Sequence, residues 1–438
     1  MLFSKSVPKE YNVPSHGQLT RLMIFGLKVS GHHPTHIRHL IEYFCEHKFP
    51  DYLDFVVAPA FLEAHPDIVQ LVSEDCKERV RFIPITEAEF RTVQQKRSLY
   101  TKLFAEWNLL CQVARKLQAT QILLLYFDHL QLPIAFGQKA PCPVAGIYFR
   151  PTFHYAQFPN FRFTWKEALR QWRKKNLLQR VLQSRQVNLL FSLDPYAIPA
   201  IVALSPSVRV CHIPDPIELD TISSEIASQR VIGLRSKLGI EPNRKVLLLF
   251  GRVRYRKGTA QLLDSIQYLS AQVAEKICVL IVGEVPAQEQ SKLQESMQAI
   301  KQSSAVQVIL QAQYVAESEV KPYFQLADVV LTPYQRHVGM SNILVQAAAV
   351  QKPVLGSNYG VMGKLIEEHE LGLTIDSEKP SEIANGIARI LSLSPETLCN
   401  HQKMEALVQL NLAEKFAEVL CSGLLNPSSK TLSTTQDS

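Results

Sequence analysis

From Arg21 onward the chain repeatedly sets a short run of leucine and β-branched residues before a longer amphipathic stretch. Few architectures accommodate that alternation, and it is the signal of βαβ units around a parallel sheet. Parallel strands are covered on both faces, so they read as nearly continuous apolar runs. Leu22 to Leu27, Leu53 to Ala58, Val80 to Ile85, Ile122 to Phe127, Val144 to Phe149 and Val187 to Leu193 all have that character. After the first run comes the loop Lys28 to His33, and Pro34 then suits the first turn of a helix to about Lys48, where its missing N–H would be unpaired anyway. A long helical stretch is expected from Gln94 to Leu117.

A second series begins after Val208 to Ile213 and the stiff Pro214-Asp215-Pro216. Strands are expected at Val246 to Phe250, Ile277 to Val282, Val306 to Leu310, Asp328 to Thr332 and Pro353 to Gly356, with helices between them. The expected fold class is therefore α/β, with two Rossmann-like doubly wound domains facing a cleft. The expected division is 1–215, 216–400, a C-terminal helix over 401–425 that packs back on the domain pair, and a disordered polar tail over 426–438. In open α/β sheets ligands sit outside the carboxyl ends of the strands, so function is to be sought in the loops that follow them.

Composition narrows the classes that remain. Among 438 residues, 46% are hydrophobic and 20% charged, as in a globular chain rather than a disordered one. No apolar run approaches the ~20 residues of a membrane span, and the N-terminus lacks a continuous apolar signal region, so a cytoplasmic location is expected. The eight cysteines are scattered without a C-x-x-C pair, which predicts reduced, buried thiols and no structural zinc. The formal charge of +7 favours an anionic partner without naming it.

The most informative segment is Leu248-Leu-Phe-Gly-Arg-Val-Arg-Tyr-Arg-Lys-Gly-Thr259. A buried strand ends at Gly251, and the cations Arg252, Arg254, Arg256 and Lys257 precede a helix, a combination suited to a diphosphate. A solvated basic turn is the plain alternative.

Gly251-Arg252 followed by Lys257-Gly258 resembles the G-R-x(n)-K-G signature of retaining nucleotide-sugar glycosyltransferases of the GT-B fold, the glycosyl transferases group 1, family four. Ile281-Val-Gly-Glu284, Ala327-Asp-Val-Val-Leu-Thr-Pro-Tyr334, His337 to Ala349, Lys352-Pro-Val354 and Ser357-Asn-Tyr-Gly360 follow that family's order over about Lys245 to Asp376. The N-terminal half resembles it only in topology and in the Gly31 loop.

The resemblance implies a metal-independent transfer of a sugar, with retention, from a nucleoside-diphosphate sugar to an acceptor hydroxyl on a sugar, a lipid-linked or another molecule. The donor is a co-substrate, and no cofactor or metal is implied. Arg252 and Lys257 would neutralise the diphosphate as it leaves. Gly251, Gly283, Gly339, Met340, Ser341 and Asn342 would bring backbone to the donor, and Gln346 stands at the ribose-binding position. The sequence departs from the family's E-x7-E pair, because Gln346 replaces the second Glu and Val338 stands where the first would be. Asn358 and Lys364 also differ from frequent acidic residues. These departures motivate a second reading, a catalytically degenerate GT-B protein that binds or scaffolds; a GT-B epimerase or phosphorylase shares the architecture but not this motif order.

In the N-terminal half, Gly31-His-His33 and Asp128-His129 lie after strands, and the resemblance places Gly31 among the donor-binding residues, in a loop that faces the cleft, with an ordinary surface loop as the alternative. His129 is the expected third catalytic group, orienting a sugar or acceptor hydroxyl rather than acting as a free base. The stretch 163–185 interleaves seven cations with Trp165, Trp172 and leucines as an amphipathic basic helix. It offers either peripheral contact with an anionic membrane, at the inner face, or a solvated cover for the sheet. Nucleic acid is not an expected partner, since no helix-turn-helix, RNP or zinc-finger signature accompanies the charge.

Overall fold

A computed structural model describes residues 19–96, 98–158, 160–161, 164–218 and 224–425. The expected polar tail over 426–438, and Phe163 at the start of the basic stretch, lie outside the described residues. The chain forms two compact units: one runs up to His154, then Thr164–Ile213 and from Ala413 onward, and the other is 155–163 with Pro214–Leu412.

The first unit holds a parallel sheet of β1 (Arg21–Gly26), β2 (Tyr52–Val57), β3 (Val80–Pro84), β4 (Gln121–Leu124), β5 (Val144–Tyr148), β6 (Val187–Ser192) and β7 (Arg209–His212), in the order β3-β2-β1-β4-β5-β6-β7. Alternate residues of one strand feed opposite cores, as the period of two requires. Leu22 and Ile24 join Ile37, Leu40 and Phe416 on one face, and Met23 and Phe25 join Trp107, Leu110 and Leu182 on the other. Buried Asp54 on β2 is held by Arg81 through two hydrogen bonds of 2.7 and 3.0 Å.

The second unit repeats the plan with β8 (Lys245–Phe250), β9 (Ile277–Val282), β10 (Gln307–Gln311), β11 (Val329–Thr332), β12 (Val354–Ser357) and β13 (Gly372–Ile375), ordered β10-β9-β8-β11-β12-β13. All the strand pairs of both sheets are parallel, so the α/β, doubly wound expectation holds for each unit.

The structure differs from the sequence-based expectation in four places. The helix expected from about Gln94 to Leu117 starts later, at Leu99, and runs to Lys116, while a separate helix, Glu87–Gln94, precedes it; each is opened by its own cap, Ser98 and Thr86. The helix Ser224–Lys237 and strand β13 are additions, and neither carries a strong pattern of its own period in the sequence. The expected helix over 401–425 is broken into His401–Leu410 and Ala413–Leu425. Asn411 causes the break: its carbonyl oxygen accepts from Ile217 N–H at 2.9 Å and its Oδ1 from Asp215 N–H at 3.0 Å, bonds that a continuous helix could not make. The two pieces then belong to different units, with Phe416 of the last helix 4.5 Å from the ring of His36 in the first. Among the described residues, 155–158 and 160–161 also pack with the second unit, although both flanking segments belong to the first.

Candidate active site

In the second sheet the strand order turns outward in both directions from the neighbouring pair β8 and β11, which is where a doubly wound sheet opens a crevice at its carboxyl edge. The glycines of the sequence motif lie at that edge. Gly251 (φ 106°) follows β8 and Gly283 (φ 143°) follows β9. A Cβ on Gly283 would collide with the carbonyl oxygen of Gly251, so the two strand ends meet backbone to backbone. Gly258 (φ 73°) has the same close approach to the Pro333 carbonyl oxygen beyond β11, which is why the loop tolerates no side chain there.

Lys257 is carried across this junction. Its ammonium donates to the Phe250 carbonyl oxygen at 3.4 Å and to the Tyr334 hydroxyl, and lies 4.1 Å from the Tyr334 ring centroid. One cation thus spans the ends of β8 and β11 and is fixed from both sides. Arg252 is less constrained: it is half-exposed, with Nε 3.8 Å from the Glu284 carboxylate, so it is free to turn toward a ligand. Tyr334 is held in turn, since its carbonyl oxygen accepts from Ser377, and the buried Gln335 amide donates to the carbonyl oxygens of Pro333 and Ser377 at 2.8 and 2.7 Å.

The loop to the next helix, Asn342–Ala349, continues from there. The edge of His337 meets Tyr334 with ring centroids 5.2 Å apart, and its Nε2 is 3.4 Å from the Met340 carbonyl oxygen. Lys257 and the 337–340 backbone are therefore linked through Tyr334. Ser341 precedes the helix without a side-chain capping bond, Asn342 donates to Pro216 O at 3.1 Å, and Gln346 is half-buried one turn along. Gly339 (φ 94°) is buried, and its N–H donates to the Tyr155 hydroxyl at 2.6 Å. Tyr155 is itself buried against Gly360, where a Cβ would lie 2.8 Å from its ring. Beside it, Asn160 donates to the Asn358 carbonyl oxygen at 3.0 Å. A cavity of about 260 Å³ with Arg336, Ser357, Tyr359, Asp376 and Glu378 in its wall opens at this place.

The sequence alone assigns neither Tyr155 nor Tyr334 a role. Tyr334 lies inside a recognisable motif, but Tyr155 is 184 positions from Gly339 and no local pattern marks it.

Gly31 and His129 belong to the first unit. Gly31 (φ 81°) precedes the helix His32–Glu46. Between β1 and β4, the corresponding switch point of this sheet, a cavity of about 260 Å³ is lined by Lys28, His33, Lys102, Glu106, Tyr126 and His129 with apolar neighbours. His129 Nε2 is 3.3 Å from the Glu106 carboxylate, and Lys28 lies 4.2 Å from the Tyr126 ring centroid. Burial pushes His33 down to about 3, helped by Lys28 and His129, so it is neutral near pH 7. Asp128 faces away from chemistry: it accepts the N–H groups of Phe149 and Arg150 at 2.8 and 2.9 Å, while burial raises its carboxyl above the usual range. Among the described residues, no group of three or more His, Cys, Asp or Glu is placed to hold a metal ion, and all eight cysteines are free.

Each unit is thus a doubly wound α/β domain with a crevice at the carboxyl edge of its sheet, and the crevice of the second carries a fixed cation. Residues 233–406 match the family model for Glycosyl transferases group 1. It is 24% identical over 201 residues to the putative glycosyltransferase YtcC of Bacillus subtilis, covering 45% of this chain and 49% of that one. It is 25% identical over 163 residues to a D-inositol 3-phosphate glycosyltransferase of Rhodococcus jostii, covering 36% and 35%. These matches span half or less of the curated relatives' length. In fold, the chain is similar to an α,α-trehalose-phosphate synthase (UDP-forming) from Burkholderia vietnamiensis, with a TM-score of 0.68, 13% identity and coverage of 95% of this chain and 100% of that one. The fold is thus that of GT-B glycosyltransferases.

Proposed function

We propose that this chain is a retaining, metal-independent glycosyltransferase that moves a sugar from a nucleoside-diphosphate sugar to an acceptor hydroxyl. The carrying observation is Lys257, fixed by Tyr334 and the end of β8 at the switch point of the second sheet, with Arg252 beside it on the same loop. When the glycosidic bond to the diphosphate breaks, negative charge grows on the departing phosphate, and cations fixed in advance stabilise that state more than the ground state. Two side-chain cations supply the charge that a divalent ion would otherwise bring. The Gly339 to Asn342 backbone is the second donor contact. Gly339 N–H is already held by Tyr155, so donor binding exchanges that hydroxyl for a phosphate oxygen. The similarity to a synthase named as UDP-forming supports a uridine nucleotide as the first to try.

Gln346 would meet the ribose as a neutral amide, and Val338 offers the sugar no acceptor. In the first unit, His129 with Glu106 would orient a sugar or lipid-linked hydroxyl in the cavity after β1 and β4.

The test is a thermal-shift series with UDP, GDP, ADP, TDP and CDP, followed by transfer assays with and without EDTA. A nucleotide at ~100 times its Kd stabilises by about 2.7 kcal/mol, a readable shift. One nucleotide is expected to stabilise the wild type and to lose that effect in Arg252→Ala. Transfer should fall by about 10²–10³-fold in Lys257→Ala, the range for removing one charge-stabilising group. Full activity in both variants would remove the residue assignment, and stabilisation by none of the nucleotides would favour the degenerate binding protein that Val338 and Gln346 suggest.

A further inference from the structure

The helix Trp165–Gln183 in the first unit has two apolar faces rather than one. The first is ordinary: Leu178, Val181 and Leu182 are buried in the core beside Trp107 and Leu190. Lys174 sits on that side too, donating to Thr152 Oγ1 at 2.7 Å, with its ammonium pushed down by burial. The second face points the opposite way. Trp165, Leu169 and Trp172, at spacings of four and three, form one stripe and are 71%, 47% and 62% exposed. Two indoles and a leucine this exposed are costly to leave in water, and single-residue scatter does not put three of them on one stripe.

The stripe is bordered by charge of one sign. Lys166, Arg170, Arg173 and Lys175 are all exposed and lie on its flanks, and Arg180 extends the line toward exposed Phe136, with its guanidinium 4.8 Å from that ring centroid. The helix carries six cations against one carboxylate, Glu167, which is engaged at the N-terminus by the cap residue Thr164. Tryptophan at the centre with lysine and arginine on both sides is the arrangement of a helix lying in a membrane interface, the indoles among the acyl and headgroup boundary and the cations on anionic headgroups. A protein partner would have to offer a long apolar groove with acidic walls. A second copy of this chain would place like charges against each other, since the flanks are positive on both.

We infer that the exposed face of this helix, Trp165, Leu169 and Trp172 with their flanking cations, docks the protein on an anionic lipid surface. Because the helix carries no run able to cross a bilayer, the contact is peripheral and reversible. The inference deepens the proposed function on its acceptor side, placing the acceptor in or at a membrane, but it does not depend on the donor assignment.

The chain has three tryptophans, and the third, Trp107, is buried with its indole N–H donating to Gln138 O at 2.8 Å. Intrinsic fluorescence therefore reports on the stripe. The full chain is titrated with phosphatidylcholine vesicles and with phosphatidylcholine–phosphatidylglycerol vesicles, reading emission and co-sedimentation. A blue shift and co-sedimentation are expected with the anionic vesicles only, weakening at high salt. Trp165→Ser with Trp172→Ser, and separately Lys166→Gln with Arg170→Gln and Arg173→Gln, should each weaken binding at least tenfold. Nucleotide-induced thermal stabilisation should be unchanged in both, which separates this result from failure of the donor reading. No binding to anionic vesicles, equal binding to neutral ones, or a self-associated species that disappears in the tryptophan variant would each overturn the inference.

Discussion

Tyr155 shows how much one hydroxyl can decide. It is buried, it accepts the Gly339 N–H, and that N–H is the group a diphosphate at this loop would claim. In Tyr155→Phe the ligand-free protein keeps the ring against Gly360 but leaves the buried N–H without its acceptor. A loss of about 1–3 kcal/mol of stability is expected, as for other orphaned buried donors. Saturating nucleotide should restore most of that loss, since the phosphate replaces the missing acceptor. Urea unfolding of wild type and variant, with and without nucleotide, reads both quantities; a deficit unaffected by nucleotide would mean that Gly339 N–H is not part of the donor site. The missing carboxylates can be read at the same scale. A charged acceptor at 346 in place of an amide strengthens a hydrogen bond from ~0.5–1.5 to ~1.5–3 kcal/mol. Gln346→Glu, alone and with Val338→Glu, is therefore expected to tighten nucleotide binding by about tenfold. Calorimetric titration checks it, and unchanged affinity would place Gln346 away from the ribose.

Among the elements, the glycine-lined junction of β8, β9 and β11 is the least forgiving. Gly258 is left-handed and its missing Cβ is where the Pro333 carbonyl oxygen passes, so Gly258→Ala must move Lys257 off Tyr334 or part the strands. A destabilisation of ~2 kcal/mol or more is expected, with loss of transfer. Gly31→Ala separates strain from packing: a Cβ there meets nothing within 4 Å, but φ 81° with ψ −146° is a conformation kept almost to glycine, so it should cost backbone strain of about 1–3 kcal/mol without parting any strands. A Gly258→Ala variant that melts like the wild type and keeps transfer would refute the close-packing account. The same junction explains what sequence alone can reveal. The strands and the Gly251-to-Gly258 loop are legible because buried parallel strands are continuous apolar runs, and their loops carry glycine and charge for local reasons. Tyr155 is not legible, because its role is set by contact with a loop 184 positions away. The Asn411 break is hidden for the same reason, since the bonds that end the helix come from Asp215 and Ile217. The outer face of the 165–183 helix can be described but not oriented, because sequence does not say which of two apolar stripes faces the core.

For the whole molecule, acid stability is set by histidines that the fold keeps neutral. His33, His36 and His39 are buried on the helix His32–Glu46. Burial, then Lys28, His129 and His32, holds His33 at about 3. Burial and then His32, His33 and His39 keep His36 well below the usual imidazole range, with its ring packed on Phe416 and Phe149. Burial and then Arg38 bring His39 to about 4, despite Glu42 at 3.6 Å. In the unfolded chain these imidazoles protonate near 6.5, so below that pH the unfolded state binds more protons than the folded one. Their contribution is therefore complete above pH 6.5 and is lost as the pH falls toward 4 and 3. Each histidine costs at most about 1.4 kcal/mol per pH unit in that window, about 4 kcal/mol per unit for the three. Against a typical total of about 5–15 kcal/mol, such a slope consumes the lower end of that range by about pH 5 and the upper end only near pH 3. Tryptophan and far-UV signals followed in urea at pH 7, 6 and 5 should show that steep decline. His36→Phe, which keeps an aromatic ring on Phe416 and Phe149 and removes one titration, should shallow the slope by about a third. A stability that stays level from pH 7 to 5, or a slope that His36→Phe does not change, would show that these imidazoles are not what limits the fold in acid.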